Sequence, residues 1–392
     1  MHEGGGAATP GWLSVPARVA LAFAAMYFVT GVSTPFLPVW LESRGLTVGQ
    51  IGLLTIVPQL VRMACSPVVG FEADRRQAHR SLVTWLSGLG LAAWLLLAQA
   101  PGFVVALAAM AAIALSNAMG PLVESIAMVG VRTQGHDYGR MRLWGSASFV
   151  VANLFGGWLA SSFGNGAVIW LMVAGAAATL CVSLLLQQPG AMDAVAGVRR
   201  RLTLADARGL LLIPNMSALL LAAGAVQGAH GMFYAYGTLH WQAQGIGANW
   251  FGVLWAVGLV TEIALFWWSK EAVRQIGAAE LLVFGAGLSV FRWTLMAFDP
   301  PLPLLLPLQV LHGLTFGASH LGAMHVLARI APPDQSATAQ ALYALVSTLG
   351  VVVATAIAAR VYPSAGGMTY LAMAMIAAAG LAAAERMRRR VG

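Results

Sequence analysis

Charged residues are scarce in this chain, and so are lysine and cysteine. Only 9% of its 392 residues are Asp, Glu, Lys or Arg, whereas 59% are hydrophobic. A water-soluble domain has roughly a quarter of its residues charged, so lipid must be the solvent for most of this chain. The two cysteines, Cys65 and Cys181, lie in apolar runs, where we expect buried thiols and neither a disulfide nor a metal pair. The N-terminus lacks a signal-peptide cleavage pattern, so the first apolar segment is expected to remain as a spanning helix.

Apolar runs long enough to cross a bilayer recur along the whole chain. A spanning helix needs about 20 predominantly apolar residues. Twelve runs qualify: 18–41, 51–71, 81–100, 103–131, 143–163, 167–186, 215–241, 250–269, 278–298, 302–330, 337–361 and 368–385. The sequence therefore predicts an all-α integral membrane protein of twelve transmembrane helices in two pseudo-symmetric six-helix bundles. The predicted segments are a tail (1–17), the N-terminal bundle (18–186), a linker (187–214), the C-terminal bundle (215–385) and a basic tail (386–392).

Arginines are distributed unequally between the two sides of these spans. The outside loops would hold only Arg44 and Arg360, while the alternate loops and both tails hold almost all the others. Basic residues accumulate on the cytoplasmic side of membrane proteins. We therefore predict cytoplasmic N- and C-termini in a multi-pass protein of a bacterial-type inner membrane. The net charge of +8 then reflects membrane topology. We expect the chain to contact the lipid bilayer and expect no nucleic-acid partner.

The two halves match each other at an offset of 200 residues. Three glycines of the first two spans coincide with three glycines of spans seven and eight: Gly31, Gly45 and Gly52 with Gly231, Gly245 and Gly252. Because each half has six spans, the halves share one orientation. Parallel six-helix halves are typical of major facilitator transporters, whose substrate site lies near mid-membrane.

Five ionisable residues lie within or at the edge of predicted spans, where charges are costly and usually functional. They are Arg62, Glu124, Arg142, Glu262 and Arg292. Glu124 and Arg142 flank one tight connection, so an ion pair or a shared substrate site is available to them. Glu262 and Arg292 lie in successive spans and could form a second pair. Pairs that only fix helix packing are the alternative for both.

Histidines 312, 320 and 325 lie in the span 302–330. His312 and His320 are eight residues apart and so lie roughly on one helix face. Imidazole titrates near neutral pH, which suits a proton-coupled step. His320 with Met324 at i+4 is an alternative soft-metal pair suited to Cu(I); otherwise no metal site and no cofactor is predicted, with the proton as coupling ion. Polar packing against backbone carbonyls is the third interpretation.

Several motifs resemble the major facilitator superfamily. The segment with Gly70, Asp74 and Arg75 resembles its gating loop between helices two and three, although Glu72 and Gln77 depart from that signature. The run from Tyr138 to Ser146 is similar to the start of helix five in its lactose permease and phenylpropionate permease groups.

The resemblance implies roles for individual residues. Substrate contact is implied for Glu124 and Arg142, and proton coupling for Glu262, Arg292 and His312. Arg292, His312 and His320 are also predicted to bind substrate, and Glu124 is a second candidate for the coupling proton. Thr315 stands where lactose permease has an acidic residue, so the chain resembles the phenylpropionate permease-like group more closely.

The resulting prediction is a secondary active transporter and not an enzyme, since no catalytic motif occurs in a plausible context. We expect a monomeric, proton-coupled symporter that imports a small organic solute by rocker-switch alternating access. An aromatic carboxylate such as phenylpropionate is the first candidate. A sugar, a nucleoside, copper, or a metal chelate or siderophore is the alternative.

Overall fold

Helices make up all the regular structure of residues 14–187, 204–332 and 335–391, which are the residues that the computed structural model describes. They are α1 (Val15–Ser43), α2 (Val48–Arg76), α3 (His79–Ala98), α4 (Phe103–Ser116), α5 (Met119–Gln134), α6 (Tyr138–Phe163), α7 (Val168–Ser183), α8 (Leu204–Leu211), α9 (Met216–Gly228), α10 (Gly231–Ala243), α11 (Ala248–Trp267), α12 (Ser269–Ile276), α13 (Ala278–Met296), α14 (Leu302–Gly313), α15 (Ser319–Ile330), α16 (Ser336–Ala365) and α17 (Thr369–Val391). Most of the predicted tail 1–17 and of the linker 187–214 lies outside the described residues.

The number of membrane spans follows from apolar length. Eleven stretches of the described chain are long and apolar enough to cross a bilayer, and the last of them, Thr338–Arg390, covers 53 residues. This stretch contains two helices, α16 and α17, separated by a short 3₁₀ turn at Gly366–Met368. Twelve spans result for the described chain, which confirms the predicted all-α membrane fold. The predicted spans 103–131, 215–241 and 302–330 are each built from two α-helices in sequence.

The sequence repeat reappears in the backbone of two tight turns. Gly45 follows α1 and Gly245 follows α10, and both have φ +81°. Each amide donates to the carbonyl three residues earlier, at 2.8 Å and 2.9 Å. Glycine adopts this left-handed conformation without the steric cost that a Cβ imposes. The repeat at offset 200 therefore preserves the geometry of a turn as well as the identity of a residue.

A second pair of repeated glycines lies where helices cross closely. A Cβ added at Gly31 would lie 2.7 Å from the carbonyl oxygen of Phe149, and one added at Gly231 would lie 2.8 Å from the amide nitrogen of Thr355. Helix α1 therefore crosses α6 as closely as α10 crosses α16. Small residues permit such backbone approach between membrane helices.

Contacts divide the chain into two compact units. The first unit contains Met1–Ser33, Ala64–Ala152 and Ile169–Gly197, and the second contains Thr34–Met63, Asn153–Val168 and Val198–Gly392. A cluster of buried apolar side chains around Phe23 and Ile126 forms a core in the first unit. The second unit has its own core around Met216 and Tyr343.

Candidate functional site

Arg142 is the central charged residue of the first unit's candidate site. It lies near the start of α6, and its guanidinium carbon is 4.0 Å from the ring centroid of Tyr27 and 5.6 Å from that of Phe23. Its Nη1 is buried, and no described group accepts a hydrogen bond from it. Gly145 leaves room for this nitrogen, since an added Cβ would lie 2.9 Å away. An aromatic face stabilises the cation but leaves its N–H donors available.

Glu124 lies on α5 and is exposed. Arg142 stacks on Tyr27. Among the described residues, it does not form the ion pair with Glu124 that the sequence made available. Tyr138 lies close enough to interact electrostatically with both Glu124 and Arg142. The two predicted residues therefore share one neighbourhood with a phenol, while their contact with a substrate stays a prediction.

Arg292 lies at the centre of the second unit's candidate site. Its side chain is fully buried at 0% exposure. Nη1 lies 3.1 Å from Nδ1 of His312, and Nη2 donates to Oε1 of Gln309 at 3.1 Å. The guanidinium carbon lies 4.2 Å from the ring centroid of Trp293 and 5.0 Å from that of Phe233. We refer to Arg292, His312 and Gln309 as the arginine triad.

The arginine triad fixes the proton on the His312 ring. A guanidinium only donates hydrogen bonds, so Nδ1 of His312 must accept the bond from Arg292. The proton of the neutral ring then resides on Nε2. His312 retains 8% exposure, and its ring offers a hydrogen-bond donor on the side away from Arg292.

The pair that the sequence made available to Glu262 and Arg292 is not formed among the described residues. Both terminal nitrogens of Arg292 face the neutral side chains of the triad. Glu262 instead packs against the tenth span, where an added Cβ at Gly317 would lie 3.6 Å from its Cγ. This part of the span is a π-helical turn, Leu314–Ala318. Such turns occur often at functional sites, and this one begins two residues after His312.

Aromatic rings surround the arginine triad. Phe233 stacks on Trp255 with centroids 4.5 Å apart, and its ring centre is 5.3 Å from that of His312. His230 lies 5.1 Å from Trp293, edge to face. Tyr234 stacks beside Trp255 at 6.0 Å. The rings form an apolar wall around the triad in which faces stack on neighbouring rings.

The buried polar groups near Arg292 lack acceptors. Within the described chain, no partner is found for Nε of Arg292, Nε2 of Gln309, Nε1 of Trp293 or the hydroxyl of Tyr370. Trp293 and Tyr370 are stacked, with nearly parallel rings 5.6 Å apart. Three of the four groups can only donate hydrogen bonds, so this region has an excess of donors.

The remaining predicted histidines lie farther along the tenth span. His320 Nδ1 is 2.9 Å from the Tyr343 hydroxyl, and His325 Nδ1 is 2.9 Å from the Leu321 carbonyl oxygen. Met324 packs against the buried apolar cluster of the second unit. His325 therefore bonds a backbone carbonyl, as the packing interpretation expected. The packing of Met324 lends no support to the alternative metal pair with His320.

The predicted gating loop is helical. Gly70, Asp74 and Arg75 lie in the last two turns of α2, which ends at Arg76, so the connection to α3 is only Gln77 and Ala78. Glu72, which departs from the family signature, accepts two bonds from Arg75 at 2.9 Å and 2.8 Å. Paired charges three residues apart favour continued helix, which explains why the segment does not form a loop.

One end of the second unit is held by polar contacts between helices distant in sequence. The Tyr236 hydroxyl donates to the Val48 carbonyl oxygen at 3.0 Å. Gln242 donates to the Glu42 carboxylate at 3.0 Å and accepts a bond from Asn165 at 3.3 Å. We refer to these five residues as the end lock.

A family model described as the MFS_1-like family matches residues 18–372. The chain belongs to this family. It is 30% identical over 368 residues to a probable 3-phenylpropionic acid transporter of Escherichia coli (strain K12), covering 92% of this chain and 94% of that protein. It is also 30% identical over 341 residues to a maltose permease of Geobacillus stearothermophilus, with 82% and 81% covered. The predicted membership in the phenylpropionate permease-like group is confirmed.

Solved structures agree in fold. The nucleoside transporter NupG matches with a TM-score of 0.82 at 14% identity, covering 96% of this chain and 99% of that one. Its family model and its two permease relatives identify this MFS_1-like chain as a multi-pass membrane transporter of a small molecule and not an enzyme.

Sequence reasoning missed most of the aromatic wall in this MFS_1-like chain. Phe233, Trp255, Trp293 and Gln309 are indistinguishable from packing residues when read singly. Two signals could have identified part of the set. Gln309 lies three residues before His312, on the same helix face, and Trp293 directly follows the intramembrane Arg292.

Proposed function

We propose that this protein is a proton-coupled symporter that imports a small aromatic carboxylate. The observation that carries the proposal is the fully buried Arg292, whose terminal nitrogens contact two neutral side chains inside an aromatic wall. A buried charge without a counter-charge is costly, and a bound anion would offset that cost. The similarity to a probable 3-phenylpropionic acid transporter supports the same substrate class.

The balance of donors and acceptors favours a carboxylate over a sugar. A carboxylate only accepts hydrogen bonds, whereas each sugar hydroxyl both donates and accepts. The region around Arg292 presents unpartnered donors, and the Gln309 carbonyl oxygen is already occupied by Arg292. In the first unit, Arg142 likewise has an unpartnered donor beside an aromatic ring. The similarity to a maltose permease keeps a sugar as the second candidate.

A carboxylate side chain is the better candidate for the coupling proton than His312. To take up a proton on Nδ1, His312 would first have to break its bond with Arg292. Glu262 packs against the π-helical turn that begins two residues after His312, and Glu124 lies near Tyr138 in the first unit. Neutralising a carboxylate lowers the cost of reorienting the loaded carrier in a low-dielectric environment.

Alternating access requires contacts that form and break in each cycle. The end lock joins α1, α2 and the start of span six to α10 through a few polar side chains. Hydrogen bonds of this kind contribute about 1 kcal/mol each, so they can separate at low cost. We propose that the end lock opens when this face admits substrate, and that it faces outward, since the arginine distribution predicts cytoplasmic termini.

Uptake by purified protein in proteoliposomes tests the proposal. 3-Phenylpropionate, maltose and a nucleoside should be compared with and without an inward proton gradient. We expect accumulation of the aromatic acid alone, dependent on the gradient and abolished by a protonophore. Gradient-driven accumulation of maltose without accumulation of the acid would contradict the substrate class, and accumulation of the acid without the gradient would contradict proton coupling.

A further inference from the structure

An apolar groove lies on the surface of the first unit, and neither Arg142 nor any residue of the arginine triad lines it. It has a volume of about 830 Å³ and is lined by α3 and by the end of α7. Trp85, Gly88, Leu89 and Ala92 form the α3 side. Trp85 is 78% exposed, so the groove opens outward from the helices. We refer to it as the α3–α7 groove.

Two arginines converge at one end of the α3–α7 groove. Arg80, which lines the groove, donates to the carbonyl oxygen of Leu184 at 3.0 Å. Arg18 of α1 donates to the next carbonyl oxygen, that of Leu185, at 3.3 Å. Two guanidinium groups are thereby held at consecutive carbonyls just after the last turn of α7. The Nε of Arg18 is buried and has no partner among the described groups.

The dimensions of the α3–α7 groove match one leaflet of a bilayer. From Arg80 to Ala92 the groove follows twelve residues of helix, which is about 18 Å at 1.5 Å per residue. One leaflet contributes about half of the ~30 Å hydrocarbon thickness. An acyl chain lying in the groove would therefore place its headgroup beside the two arginines. Basic pockets between transmembrane helices are suited to anionic lipid headgroups.

We infer that the α3–α7 groove binds one anionic phospholipid. The acyl chain packs between Trp85 and Leu184, and the phosphate accepts hydrogen bonds from Arg80 and Arg18. Ser81 and Thr84 also line this end, where their hydroxyls donate to the carbonyl oxygens of Ala78 and Arg80, so the two arginines are the headgroup donors. The inference is independent of the transported substrate, because none of these residues belongs to the arginine triad or to the candidate site around Arg142.

Native mass spectrometry of the purified full-length chain tests this inference. Phosphatidylglycerol and phosphatidylcholine with identical acyl chains are added separately, and inorganic phosphate serves as a competitor. We expect phosphatidylglycerol to bind more tightly than phosphatidylcholine, with each arginine contributing about fivefold, the factor that corresponds to ~1 kcal/mol. Millimolar inorganic phosphate should not displace the lipid.

Two kinds of variant separate headgroup recognition from acyl binding. The double variant R18Q/R80Q should remove the preference for phosphatidylglycerol. Gly88→Leu should weaken the binding of both lipids. Gly88 lines the groove, and a side chain added there meets no atom within 4 Å, so leucine would occupy the space of the acyl chain. Arg44→Gln replaces an exposed arginine that faces Trp40, and it should change neither the preference for phosphatidylglycerol nor the binding of either lipid. Equal binding of both lipids by the wild type would overturn the inference, as would an unchanged preference in R18Q/R80Q or displacement by inorganic phosphate.

Discussion

Arg292 directs one guanidinium nitrogen at Nδ1 of His312 across 3.1 Å, inside a site where the arginine is completely buried. This contact decides the hydrogen-bonding role of the histidine. Because arginine cannot accept a hydrogen bond, His312 is a donor through Nε2 and a poor proton carrier while the contact persists. In the proposed mechanism, recognition of an anion and transfer of a proton therefore belong to different side chains.

His312→Gln should retain proton-driven accumulation of an aromatic carboxylate, because glutamine offers an acceptor for Arg292 and an amide donor in place of Nε2–H. His312→Leu has neither group and leaves a buried donor of Arg292 unpaired, which costs ~1–3 kcal/mol. We expect its KM to rise at least about tenfold. Initial uptake rates across a concentration series measure both variants. Loss of coupling in His312→Gln with normal downhill exchange would show that the histidine titrates after all.

Arg142→Gln should weaken substrate binding, because it removes the cation that stacks on Tyr27 and the free N–H groups beside it. Tyr27→Phe is the matched control, since it keeps the aromatic face that supports the cation. We expect the first variant to raise KM at least about tenfold and the second to change it by less than about threefold. Equal effects of the two variants would assign Arg142 a packing role only.

Glu262→Gln should permit exchange of substrate across the membrane and abolish accumulation against a gradient, because a neutral side chain cannot alternate its charge during the cycle. Glu124→Gln is compared in the same assay, since Glu124 is the second candidate. Counterflow measures exchange, and uptake under an imposed proton gradient measures accumulation. Wild-type accumulation in both variants would rule out carboxylate coupling.

Gly228→Ala should destabilise the fold, because an added Cβ would lie 2.7 Å from the backbone of Gly350, where α9 crosses α16. Overpacking of this kind typically costs about 1–3 kcal/mol. Gly287→Ala meets nothing within 4 Å and should be neutral, or stabilising by up to ~1 kcal/mol through helix propensity. Thermal unfolding in detergent measures both. Equal melting temperatures would refute the close crossing.

The fold could be predicted from the sequence, because a bilayer allows few solutions. Apolar length sets the number of spans, and the match of Gly45 with Gly245 marks a turn that the structure repeats. The partners of the buried charged side chains could not be predicted in the same way. The sequence allowed Glu262 and Arg292 to pair, yet the arginine contacts Gln309 and His312. A neutral glutamine attracts no attention as an intramembrane charge does, so the spacing of Gln309 from His312 was its only signal. The π-helical turn after Gly313 also alters the helical phase on which face assignments depend.

Binding of an aromatic acid and of its neutral amide tests the central claim most directly. 3-Phenylpropionate and 3-phenylpropionamide have the same ring and chain and differ in the anionic group that Arg292 and its neighbouring donors would recognise. Isothermal titration of the purified protein should give measurable binding of the acid and at least about tenfold weaker binding of the amide. Arg292→Gln, checked for a wild-type helical spectrum, should lose this discrimination. Equal affinity for acid and amide in the wild type would contradict recognition of a carboxylate by the buried arginine.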